Sequence, residues 1–117
     1  MISIQTEGNI AYTVAQGKLT KEDYDQLIPV LENIIKQFKT ISWYFEMQNF
    51  EGWEAGAFTK DLAFDFKHWN DFQKIAMVGV EQWERMLTQA MTPFTTATIR
   101  FFTLADAAEA REWVKTP

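Results

Sequence analysis

The one histidine, His68, follows Asp65 by three residues and Asp61 by seven. On a helix that spacing brings an imidazole and two carboxylates along one side. Imidazole nitrogen with carboxylate oxygen suits a divalent cation, which makes Asp61, Asp65 and His68 the candidate metal ligands. The competing reading is a solvated acidic edge beside an apolar stripe. Ligands hold a metal only when further side chains orient them, and this spacing reveals none, so no metal or other cofactor is expected.

Nucleophilic chemistry has less to work with. The only serines are Ser3 and Ser42, and neither sits in a G-x-S-x-G elbow. The chain has no cysteine, which removes thiolate nucleophiles, thiolate zinc sites and disulfides together and fits a reducing cytoplasm. Gly52 and Gly56 flank Trp53 and Glu54, bulky and acidic where a phosphate loop needs bare amides. No catalytic residue is assigned, and the chain reads as a non-enzyme.

What stands out instead is a density of rings: Phe50, Trp53, Phe58, Phe64, Phe66, Trp69 and Phe72 all fall between positions 50 and 72. Phe58, Leu62, Phe66 and Trp69 fit one inward stripe, but Phe64 points away from it. Phe50 and Trp53 fall in an expected loop beyond the carboxyl end of the central strand, where open α/β sheets bind ligands. Ordinary core packing competes with this reading, since aromatic rings dominate interiors. The candidate ligand- or partner-binding residues are Gln48, Asn49, Phe50, Glu51, Trp53, Phe58, Gln82 and Trp83. They describe an apolar recess with a polar rim, suited to a hydrophobic or amphipathic small molecule. The same patch suits a docked protein helix or loop, for which Trp and Phe serve as anchors.

The elements that must position these residues follow from periodicity. Ile2 and Ile4, then Ile10, Tyr12 and Val14, alternate on either side of Glu7-Gly8-Asn9 and predict a hairpin. From Thr20 the spacing lengthens: Tyr24, Leu27, Ile28, Leu31, Ile34, Ile35 and Phe38 form the apolar stripe of a helix. Thr20 and Asp23 read as its capping box, and Pro29 inside it removes one backbone donor and should bend the axis. Ile41 to Met47 alternates as a strand. A second helix is expected near 54–69, a strand at 75–80, a third helix over 81–91, and a strand at 97–102. Thr103 to Asp106 reads as a second capping box, opening a last helix through Trp113. The order is ββαβαβαβα: an α/β fold with an N-terminal hairpin, a mixed five-stranded sheet and four helices.

Glu46 and Arg100 fall mid-strand beside Tyr44 and Phe102, so one face of the sheet is expected to be half covered. That face offers a Glu46/Arg100 pair or a homodimer contact through Tyr44.

With 117 residues the chain is read as one domain, 1–117, able to bury roughly two-thirds of its unfolded surface. Sixteen acidic residues against eleven basic give a net charge of −5, which argues against nucleic acid and anionic lipid surfaces. No stretch approaches the roughly 18 apolar residues of a membrane span, and no signal segment is evident, so a cytoplasmic protein is expected.

The order of elements, with "KIAMVGVEQWERM" and "ATIRFFTLADAAEAREWV", resembles the SpoIIAA-like family, whose STAS-type fold is that of anti-sigma-factor antagonists. The resemblance spans nearly the whole chain and implies a right-handed superhelix of β-α turns. It also implies a phosphorylatable serine or threonine where the second helix begins. Here that region reads Met47-Gln48-Asn49-Phe50-Glu51-Gly52-Trp53-Glu54, without a hydroxyl. Glu51 and Glu54 put fixed negative charge where the phosphate would go. The expectation is a non-catalytic binding domain, its ligand near 48–69. The alternative is a protein–protein module of the anti-sigma antagonist type lacking the phosphorylatable serine. Lipid carriers share the superhelical arrangement, which favours the ligand reading by analogy.

Overall fold

The computed structural model describes residues 1–53, 69–80, 83 and 97–116, with Trp53 and Trp69 described by their backbones. Strand β1 (Ile2–Glu7) turns through Gly8-Asn9 into β2 (Ile10–Leu19), and the two pair antiparallel. Helix α1 (Lys21–Phe38) leads to the long central strand β3 (Ile41–Trp53). Strands β4 (Phe72–Gly79) and β5 (Thr98–Thr103) follow, and helix α2 (Ala107–Lys115) closes the chain. The strands lie in the order β1-β2-β3-β4-β5, and β2 to β5 are mutually parallel. The result is the expected mixed five-stranded sheet, with each strand beside its neighbour in sequence.

Helix α1 starts as its sequence dictates. The Thr20 hydroxyl accepts from the Asp23 N–H at 3.2 Å, and the Asp23 carboxylate accepts from the Thr20 N–H at 2.8 Å, so two orphan donors of the first turn are satisfied reciprocally. Tyr24, Leu27, Leu31, Ile34 and Ile35 are buried on the sheet, while Phe38, the last of the stripe, is 43% exposed. The helix continues through Pro29, which lies on the exposed flank, where its missing donor costs no buried hydrogen bond.

Alternation sorts β3 onto two cores. Ile41, Trp43, Phe45 and Met47 face α1 and join Leu27, Leu31, Ile75 and Met77. The Trp43 indole donates to the Thr13 hydroxyl at 3.0 Å, and that hydroxyl donates to the Tyr44 carbonyl at 3.1 Å, so these two buried polar groups are paired. On the other face Ile10, Tyr12, Tyr44, Ala76, Val78 and Phe102 pack with Ala110 and Val114 of α2.

That second core corrects the half-covered face. Tyr44 is 0% exposed, so it offers no homodimer contact. Nor do Glu46 and Arg100 pair: Glu46 accepts from Tyr44 and Gln48, whereas Arg100 reaches Glu109 at 3.9 Å and lies over the Phe102 ring. The periodicity of α2, with Ala107, Ala110 and Val114 three or four apart, is what covers the sheet.

Two further expectations change. The second capping box does not form: Leu104–Asp106 is a 3-10 turn, Thr103 caps no N–H, and its hydroxyl instead donates to the Asp106 carboxylate at 3.3 Å. Among the described residues there are two α-helices rather than the four expected; the helices expected near 54–69 and 81–91 lie outside them, apart from a 3-10 turn at Trp69–Asp71 and a helical Trp83. No helix among the described residues is long and apolar enough to cross a membrane.

Candidate functional site

The segment expected to be a loop, 48–53, is strand. β3 runs on to Trp53, and its register with β2 passes from Gln16↔Gln48 to Gly17↔Phe50, Lys18↔Gly52 and Leu19↔Trp53. Asn49 and Glu51 are left over, one bulge residue each, because a strand with extra residues must bend away from a shorter partner. The backbone accommodates this with left-handed conformations at Asn49 (φ 47°), Gly52 (φ 97°) and Gly17 (φ 64°). Asparagine and glycine are the residues that enter that region at least cost.

The bulges decide which way the candidate residues face. Phe50 turns to the α1 side, partly buried against the core, with its ring 6.3 Å from Phe45. Trp83 meets it edge-on, with ring centroids 4.9 Å apart at 70°. The far edge of the same indole lies over Gly52, where an added Cβ would stand 3.3 Å from Cη2. Asn49 and Glu51 are exposed on the bulge, with the Glu51 carboxylate beside Gly17.

Gln48 departs from the expected rim. It points to the opposite face from Phe50, donates to the Glu46 carboxylate, and accepts from the Gln16 side chain at 3.2 Å. The structure thus brings Phe50, Gly52 and Trp83 together, sets Asn49 and Glu51 beside them, and sends Gln48 elsewhere. Trp53 takes its place by its backbone, paired with Leu19. Phe58 and Gln82 lie outside the described residues, as do Asp61, Asp65 and His68. Among the described residues no cluster of three metal-ligating side chains forms.

A polar network on the α2 face went unread. Tyr44 donates to Glu46, and the Arg111 guanidinium lies 4.5 Å from the Tyr44 ring centre and 5.2 Å from that of Tyr12. Burial pushes the Tyr44 phenol well above its ordinary pKa, and the bond to Glu46 and its charge push the same way. Burial also raises Tyr12, whose hydroxyl makes no hydrogen bond among the described residues. The signal was available in the alternation Tyr44, Glu46, Gln48, which puts three polar groups on one strand face. With Glu46 held by the neutral donors Tyr44 and Gln48, this network can order the α2 core.

A parallel sheet in sequential strand order, an antiparallel first strand, and a bulged central strand meeting an aromatic pair define a mixed-sheet α/β domain. The chain belongs to the SpoIIAA-like family, whose model matches residues 10–115. It is similar to the crystal structure of an uncharacterized protein of the DUF3478 family with a SpoIIAA-like fold from Shewanella loihica PV-4. The two share 29% identity and a TM-score of 0.73, over 97% of this chain and 92% of that one. No curated protein matches the chain.

Proposed function

We propose that this SpoIIAA-like chain is a non-catalytic binding domain that takes a hydrophobic or amphipathic small ligand at the bulged end of β3. The observation that carries the reading is the Phe50–Trp83 pair: two half-buried rings at the carboxyl end of the parallel strands, with the indole against a glycine that gives it room. Apolar rings supply the contact, and the exposed Asn49 and Glu51 supply a polar border for a head group. A cysteine-free chain fits a reducing cytoplasm.

Docking of a protein partner is the second reading, favoured by the exposed Glu51 on the bulge, a fixed negative charge beside the rings. Titration with dodecanoate and dodecylamine, followed by tryptophan emission in the wild type and in Phe50→Ala, tests the first. A saturable blue shift that Phe50→Ala weakens supports it. No saturable change with either amphiphile removes the ligand reading and leaves the protein one.

A further inference from the structure

We propose that the outer edge of β1 pairs with β1 of a second copy, antiparallel about a two-fold axis through Ile4, so that one sheet runs across a homodimer. The argument starts from which backbone groups of β1 are used. Met1 and Gln16 exchange both of their backbone bonds, the Gln16 N–H to the Met1 carbonyl at 2.9 Å and the Met1 amine to the Gln16 carbonyl at 3.2 Å. In an antiparallel ladder bonded and non-bonded pairs alternate, so Ser3, Gln5 and Glu7 bond to β2. The N–H and C=O groups of Ile2, Ile4 and Thr6 therefore face outward along an edge that no strand among the described residues pairs with.

An edge of this kind is ordinarily blunted by proline, lysine or a bulge. β1 has none of these: its register with β2 is unbroken from Ile2 to Glu7, and its one charge is at its last residue. The opposite edge strand, β5, carries Arg100 at its middle. Beside β1 lies an open groove of about 660 Å³ between the strand and α1, where Ile4, Val30, Ile34 and Phe38 alternate with the polar Asn33 and Gln37. The occupant that fits this edge is an extended strand that pairs its backbone with β1 and sets apolar side chains against Ile4, Val30, Ile34 and Phe38.

β1 is itself such a strand, with Ile2 and Ile4 toward the groove side and Ser3 and Gln5 away from it. The axis through Ile4 sets Ile2 opposite Thr6 of the second copy and Ile4 opposite its own counterpart, so the outward backbone groups of both copies are satisfied at once. It sets Ser3 opposite Gln5, neutral against neutral, and opposes no like charges along the strand. The closed two-fold contact leaves neither β1 edge free, which a single foreign peptide on each copy achieves only by supplying two ligands.

Sedimentation velocity over micromolar to submillimolar protein tests this on the full chain. The wild type is expected to show a monomer–dimer equilibrium. Ser3→Lys/Gln5→Lys places like charges opposite each other twice by symmetry, and dimerisation should weaken on the order of a hundredfold with the far-UV circular dichroism unchanged. Ser3→Glu/Gln5→Glu should do the same, and an equimolar mixture of the two variants should restore a heterodimer. Amide exchange at Ile2, Ile4 and Thr6 should be slow in the wild type and in the mixture and fast in either variant alone. A wild type that stays monomeric throughout, or a dimer that survives both variants, overturns the proposal.

Discussion

Gly52 and Trp83 pack closely: a Cβ added at position 52 would stand 3.3 Å from the indole edge, tight enough that the ring must give by a few tenths of an ångström. The contact joins the bulged end of β3 to a residue four positions past the end of β4, and it depends on a backbone φ of 97° that glycine alone enters readily. Gly52→Ala meets both obstacles. We expect a loss of about 1–3 kcal/mol in urea denaturation, from backbone strain and displacement of the indole. Tryptophan emission should shift red as Trp83 moves toward water. An unchanged midpoint and spectrum would show that the contact constrains neither residue.

The two tyrosines of the α2 face should respond in opposite ways to the same substitution. Tyr44→Phe removes a donor from the buried Glu46 carboxylate and leaves it with Gln48, a cost of about 2 kcal/mol for a hydrogen bond to a charged group. Tyr12→Phe removes a hydroxyl that has no hydrogen-bond partner among the described residues, so stability should hold within about 0.5 kcal/mol or rise. Their ring centroids are 5.8 Å apart, which makes each the control for the other. Equal effects in chemical denaturation would contradict the assigned bond.

How far the sequence carries depends on the range of the interaction being read. The hairpin at Gly8-Asn9, the Thr20/Asp23 cap and the α1 stripe follow from residues within a turn of one another, and these are legible. The alternation of Trp43 and Tyr44 is legible too, and it sorts them to opposite cores. Whether a face is covered is a tertiary matter: nothing near Tyr44 in the chain announces that Ala110, Arg111 and Val114 will lie over it. The bulge fails for a different reason. Asn49 and Gly52 look like turn residues, and only pairing with β2 through Gly17 and Leu19 makes them part of a strand. Of the candidate residues, Phe50 and Trp83 lie together in the structure, while Gln48, expected on the rim in a loop, continues the period of two of β3 and points to the other face.

Asp23 gives a prediction in acid. Partial burial acts to raise its pKa, but the Thr20 backbone N–H, the Met1 ammonium at 3.2 Å and the Thr20 hydroxyl outweigh it and hold the carboxyl below its ordinary value. A depressed carboxylate contributes stability that is fully present above the unfolded-chain pKa of about 3.9 and is lost as pH falls through the folded value. Asp23→Asn should therefore cost about 1 kcal/mol at neutral pH. The gap to the wild type should close as pH falls below the ordinary carboxylate range. A difference that persists undiminished in strong acid would assign the effect to packing rather than charge.

Arg111 tests the cover over the α2 face from the other side. Its guanidinium sits over both the Tyr12 and Tyr44 rings, and its charge lowers both phenol pKa values against the burial that raises them. Arg111→Met keeps an apolar stem over the rings and removes the charge, so the cost should be modest, about 1 kcal/mol from lost cation–π attraction. The phenols should then titrate at still higher pH, read by tyrosinate absorbance. The sign for stability follows: a phenol whose folded pKa is raised contributes stability that is full below the unfolded value of about 10 and is lost as pH rises through the folded one. The substitution carries that loss to higher pH, so the variant's deficit should grow, not shrink, in strong alkali. If tyrosinate absorbance instead rises at lower pH in Arg111→Met, the side chain is acting as a lid whose removal admits water, and the electrostatic account of the pair is wrong.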